Sequence, residues 1–162
     1  MAVKVEVKGL KEIEDALKAL PEAASKRLSR AALRQASKPM AEKAKTLAPV
    51  KTGKLRDSIK IGAKVNGRQM KIYRRLSERH GVELFIGPSY LKSDMGRHGH
   101  LVEFGTKPRI NGGKFKGTKH PGTRPQPFMR PAFDAEAQPT VERLKPLLWK
   151  NIQRAAKKHG KG

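Results

Sequence analysis

The stretch "GGKFKGTK" (residues 112–119) holds the raw materials of a phosphate loop, glycines and lysines together. Such a loop needs glycine, four intervening residues, then Gly-Lys-Ser/Thr opening a helix behind a strand, so that backbone N–H groups and the lysine converge on phosphate. Gly112 and Gly117 have the spacing, but Thr118 and Lys119 stand in reversed order and Pro121 follows. The stretch therefore reads as a basic loop and not as a nucleotide site. His98 and His100 form a His-x-His pair, with His120 further on and Asp94 or Glu103 as oxygen donors. Zinc wants four ligands at supportive spacing, and with no cysteine in the chain these read as surface histidines. Ser58 follows Asp57 without the Gly-x-Ser-x-Gly elbow or a placed base. The fourteen carboxylates are scattered, with no pair suited to acid–base work, and Trp149 reads as a packing residue. No catalytic residue, no metal site and no cofactor is assigned, and the protein is expected not to be an enzyme.

Charge is the dominant feature. Thirty-seven Lys and Arg against fourteen Asp and Glu give a formal charge of +23, spread along the whole chain. Such an excess favours polyanionic partners, nucleic acid above all. Zinc-finger spacing, aromatic RNA-binding signatures and a compact helix-turn-helix pattern are missing, so any DNA contact would be through phosphates and without sequence preference. The lack of cysteine fits a reducing cytoplasm. No apolar run suits a membrane span or a signal peptide, so neither membrane insertion nor secretion is expected. An apolar share of 36% allows a core, though a thin one.

The elements that would position these residues follow from periodicity. Val3, Val5 and Val7 alternate with charged residues as a short strand, and Leu10, Ile13, Leu17 and Leu20 make an apolar stripe on a helix stopped by Pro21. Residues 22–46 predict a long helix with Ala24, Leu28, Ala32, Met40 and Ala44 on one face and an interruption at Pro39. A turn around Pro49 and Gly53 leads to a strand carrying Ile59, Ile61, Ala63 and Val65. Residues 68–79 are read as helix and 82–88 as strand. "HLVEFGT" (100–106) predicts a short helix or turn closed by Gly105. Residues 107–125, with six basic side chains, no acidic one and four glycines, predict a mobile loop. "HPGTRPQPFMRPAFD" (120–134) is a strut stiffened by four prolines and interleaved with Phe128, Met129 and Phe133. A last helix is expected from about Pro131 or Pro139, bent at Pro146, with Val141, Leu144, Leu148, Ile152 and Ala155 on one face. There is no internal repeat. The order predicts a single α+β domain over residues 1–162, a small mixed or antiparallel sheet packed with helices, with a flexible loop at about 107–125 and a basic tail at about 157–162.

Three pieces, "LAPVKTGKLRDSI" (47–59), "LVEFGT" (101–106) and "RPQPFMRPAFD" (124–134), follow in order an amphipathic start "VKGLKEIEDALKALP". Over about residues 3–157 the chain resembles the tail-component family of long-tailed bacteriophages, the small neck or tail-completion proteins encoded between head and tail genes. The segment 68–79 and the loop 107–123 are bulkier than that pattern requires. The resemblance implies a structural virion protein assembled as a ring, six copies favoured, around the channel for double-stranded DNA. It also implies contacts with tail-tube or terminator proteins and head-side connector proteins, and residence in the virion neck or tail after assembly in the host cytoplasm.

Carried onto this chain, Pro49, Thr52, Gly53 and Leu55 would shape the turn before the strand. Glu103, Phe104, Gly105 and Thr106 would close the helix. Pro127, Phe128, Arg130, Pro131 and Phe133 would fix the final helix against the sheet. Lys107, Arg109, Lys114, Lys116, Lys119 and Arg124 are expected on a loop that meets DNA, the tail tube or the connector on assembly. The competing reading is a non-specific nucleic-acid-binding protein acting through phosphate contacts.

Overall fold

The computed structural model describes residues 11–63, 81–89 and 96–159. The strand at Val3–Val7, Leu10, Val65, the helix at 68–79, Asp94 and the end of the basic tail lie outside these residues. The order is α1 (Lys11–Lys18), α2 (Glu22–Ala36), α3 (Lys38–Leu47), α4 (Lys54–Ser58), β1 (Ile59–Gly62) and β2 (Phe85–Pro88). Then come α5 (Gly99–Phe104), β3 (Arg109–Ile110), a 3₁₀ turn (Gly113–Phe115), β4 (Lys119–His120) and α6 (Met129–His159). Among the described residues β1 pairs with β2 and β3 with β4, giving two small sheets in an α+β fold. No helix among the described residues is long and apolar enough to cross a membrane.

The chain divides into two compact units. The first takes the described residues of Met1–Met40, Ile61–Phe85 and Ala135–Gly162, and the second those of Ala41–Lys60 and Ile86–Asp134. In the first, Ile13 from α1, Ala32 from α2, and Leu148 and Ile152 from α6 form a buried cluster, with Ala16, Leu17, Leu144 and Leu147 against it. These are the three- and four-residue stripes of the sequence. Ala32 and Ala36 are fully buried, small side chains that let helices approach closely. The long helix expected at 22–46 is broken at Ser37, whose N–H still bonds Leu33 O at 3.0 Å. Pro39 has no N–H to offer Gln35, so the ladder cannot continue, and the proline sits in the first turn of α3, where a missing donor is tolerated.

α6 runs as one helix across Pro139 and Pro146. Each proline deletes one interior donor and crowds the preceding turn. Near Pro139 the guanidinium of Arg143 donates to Glu136 Oε2 at 2.5 Å and to Thr140 Oγ1 at 3.3 Å, side-chain ties that bridge the interrupted turn.

The second unit has a different core. Phe128 and Ile59, the largest side chains that are fully buried, sit among Ala44, Ala48 and Ala132, with Leu55, Val102 and Met129 packed alongside. In the stretch read as a loop, the structure places an antiparallel hairpin with Arg109 opposite His120 and Ile110 opposite Lys119. Asn111 N–H donates to Thr118 O at 2.9 Å, and the Asn111 side-chain amide to Thr118 Oγ1 at 3.0 Å. Strands of only two residues, set in a segment rich in glycine and lysine, carry too little periodicity to be read in advance.

Candidate functional site

The three sequence motifs meet in the second unit, and the residue that joins two of them is Glu103. Its carboxylate accepts three backbone N–H bonds: Oε2 from Phe128 at 2.8 Å and from Met129 at 2.9 Å, and Oε1 from Arg130 at 3.0 Å. A helix leaves its first four N–H groups without partners. For α6 these belong to Phe128, Met129, Arg130 and Pro131, and the proline has no N–H. The start of α6 is thus fully satisfied without the Ser, Thr, Asp or Asn that caps most helices. A negative charge at a helix N-terminus is also favoured by the macrodipole. Burial of Glu103 pushes its pKa up, but the three N–H bonds, helped by the charge of Arg130, outweigh burial and hold it below the ordinary carboxylate value.

Gly105 closes α5 with φ +69° and ψ −175°, a region almost reserved for glycine. The next residue, Thr106, pairs with Thr123: each N–H bonds the other's carbonyl at 3.0 Å, and the two hydroxyls lie 3.1 Å apart. Gly122, at φ +87°, precedes Thr123 as Gly105 precedes Thr106. A Cβ on Gly105 would lie 2.5 Å from Thr123 O, and one on Gly122 2.3 Å from Thr106 O. Two Gly-Thr steps therefore face each other at a distance only glycine permits. Gly105→Ala is expected to cost about 1–3 kcal/mol of stability from strain alone. Gly112→Ala, at negative φ with open space around its Cβ, should stay within about 0.5 kcal/mol. Paired urea melts check the contrast, and equal midpoints for the two variants would refute it.

The turn before β1 holds Gly53, buried at φ +74°, as the N-cap of α4, and Gly53 O accepts the Asp57 N–H at 2.9 Å. The expected direct entry into the strand is replaced by this single helical turn. Ser58 is buried and spends its hydroxyl on Leu55 O at 2.6 Å, an ordinary structural bond. Pro49, Thr52, Gly53 and Leu55 line a groove of about 520 Å³ together with Val102, Thr106 and the hairpin residues Arg109, His120 and Arg124.

Lys107, Arg109, Lys114, Lys116, Lys119 and Arg124 are all exposed. From Lys107 to Phe133 there is no acidic residue, so the hairpin presents an undivided positive field. Of the strut, Phe128 is fully buried whereas Pro127, Arg130, Pro131 and Phe133 are exposed, as is Phe104. His98 and His100 are exposed, and His120 accepts the Gly122 N–H through Nδ1 at 3.0 Å. No group of three or more His, Cys, Asp or Glu able to hold a metal occurs among the described residues. Trp149 is part-exposed on α6.

Sequence reasoning placed Glu103 at the close of a helix and missed its bond to the start of another. One signal was available: Glu103 is the single acid between Asp94 and Asp134, and "PQPFMRPAF" opens a helix with no local capping side chain. The groove had no such signal, because its residues come from three separated stretches.

Neither the curated proteins nor the solved structures include a significant match to the chain. A family model described as "Bacteriophage HK97-gp10, putative tail-component" matches residues 11–105, from the start of α1 through the Glu-Phe-Gly close of α5. The hairpin and α6 follow that matched region. With more than half its length covered, including the turn at Gly53 and the capping Glu103, the chain belongs to the HK97-gp10-like family of bacteriophage tail components.

Proposed function

We propose that this tail component is a structural virion protein that assembles as a ring, completes the tail and joins it to the DNA-filled head. Beyond the family, one observation supports the ring. Among the described residues, six of the seven exposed large apolar side chains fall in the second unit: Leu47, Val50, Phe104, Ile110, Phe115 and Phe133. The buried cluster of that unit is small, three alanines beside Ile59 and Phe128. A surface with that much exposed apolar material around so thin a core fits a subunit completed by its neighbours. A heterologous contact that closes by rotation gives a ring, and six copies would suit a tail channel. The reading involves no chemistry on a substrate and no cofactor.

Negative-stain electron microscopy of the purified protein, alone and mixed with tail tubes, should show rings or capped tube ends. Monomers in both preparations would end the proposal. In this reading the hairpin cations meet phosphates of the DNA in the channel, or acidic surface of tail-tube or connector proteins, as a diffuse, salt-sensitive field. Replacing Lys107, Arg109, Lys114 and Lys116 with alanine is expected to lower the yield of joined particles about tenfold while leaving the melting curve of the isolated subunit unchanged. Complementation of a phage lacking the gene measures it, and wild-type yields would dismiss the hairpin's role. The competing reading, non-specific nucleic-acid binding by the free protein, predicts tight, salt-sensitive capture of duplex DNA without rings.

A further inference from the structure

The groove in the second unit has a composition the positive hairpin alone does not explain. Its floor is apolar, with Leu55, Leu101 and Val102, and Val50 stands at its lip with 63% of its surface exposed. Its cationic residues are Lys51, Arg109 and Arg124, with His120 beside them, and no acidic residue lines it. A surface meant only for DNA phosphates gains nothing from an apolar floor, since phosphate contact is made by exposed cations. With cations and no acid in its lining, the groove favours an acidic occupant by charge complementarity. The volume of about 520 Å³ lies within the roughly 300–1,000 Å³ range of ligand-sized clefts, enough to seat apolar side chains.

We infer that this groove docks an acidic peptide segment of a partner protein, one that seats large apolar side chains on Leu55, Leu101 and Val102 and sets flanking carboxylates against Lys51, Arg109 and Arg124. Within the proposed tail role the partner is another virion protein with an acidic, apolar-anchored segment. The recognition itself follows from the groove and does not require rings. Apolar anchors with a charged rim are the common division of labour at such sites, the anchors giving most of the affinity and the rim steering the approach.

The test is fluorescence anisotropy on the full chain with short labelled peptides. The probe repeats Glu-Leu-Asp-Phe; one control replaces its apolar residues with serine, and another replaces its acids with lysine. The probe is expected to bind in the micromolar range and both controls at least tenfold more weakly. Arg109→Glu combined with Arg124→Glu should weaken the probe by about 10- to 100-fold, and Val50→Asp by about tenfold. These side chains are exposed, so the fold should survive; Lys51→Glu, also exposed, serves as a further variant. Equal binding of the serine control, or no effect of Val50→Asp, overturns the apolar floor. Duplex DNA that displaces the probe while remaining sensitive only to the arginine variants overturns the peptide in favour of a phosphate surface. Rings without peptide binding refute this inference alone, whereas peptide binding without rings refutes the assembly reading and leaves the groove standing.

Discussion

Replacing Glu103 with alanine is expected to destabilise the second unit by about 3–5 kcal/mol, since each hydrogen bond to a charged group contributes roughly 1.5–3 kcal/mol and water can replace part of the loss. The substitution leaves the N–H groups of Phe128, Met129 and Arg130 without their shared acceptor. For a chain of this size the loss corresponds to a fall in melting temperature of roughly 6–20 °C. Glu103→Gln keeps one acceptor oxygen but turns its amide donors toward backbone donors, so it should restore less than half. Amide hydrogen exchange at residues 128–130 gives the local readout, with protection lost in the alanine variant. A melting point within about 2 °C of wild type, or unchanged protection at those amides, would refute the capping role.

The same carboxylate carries a pH dependence whose sign is fixed. Its folded pKa lies below the ordinary value of 4.5, because the three N–H bonds outweigh burial. The folded state therefore holds its proton less readily than the unfolded chain. Stability from this group is fully present above about 4.5 and is lost as pH falls through the lower folded value. Wild type should lose stability on acidification over that window more steeply than Glu103→Gln, and parallel curves would count against it.

Much of the first unit could be read from its stripes. Ile13 and Leu17 on α1, and Leu144, Leu148 and Ile152 on α6, recur at helical spacing because one face of each helix is buried, and burial fixed their type. The break before Pro39 and the close of α5 at Gly105 were legible for equally local reasons, a missing donor and a positive φ. The second unit and the long α6 were harder. α6 begins at Met129, earlier than Pro131 suggests, because its start is held by an acid 26 residues upstream. It passes through Pro139 and Pro146, which local propensity alone would forbid; its buried face and side-chain ties outweigh two absent donors. The six hairpin cations were visible as composition. Their hairpin was not, since its register rests on the Thr106–Thr123 bridge and on Asn111–Thr118, pairs set by geometry between distant residues.

The two phenylalanines of "PFMRPAFD" should separate cleanly when each is cut to alanine. Phe128 is completely buried, and the three alanines of its cluster, Ala44, Ala48 and Ala132, have no side-chain torsions with which to move into a void. That leaves Ile59, Leu55, Val102 and Met129 to shift toward it. A buried Phe-to-Ala change costs about 3–5 kcal/mol, more where the surroundings cannot collapse, and Phe128→Ala belongs in that range. Phe133, five residues on, has half its surface exposed. Phe133→Ala should shift the stability of the isolated subunit by no more than about 0.5 kcal/mol. If rings form through exposed apolar side chains of this unit, it should instead raise the protein concentration at which they appear. Urea melts on both variants, with sedimentation to follow assembly, give the two readouts. A strongly destabilised Phe133→Ala, or a Phe128→Ala that melts like wild type, would reverse the assignment of core and surface along this strut. The prolines on either side explain why one motif serves both: Pro127 and Pro131 fix the backbone around Phe128, so its ring stays on the alanine-lined site while the following turn carries Phe133 outward.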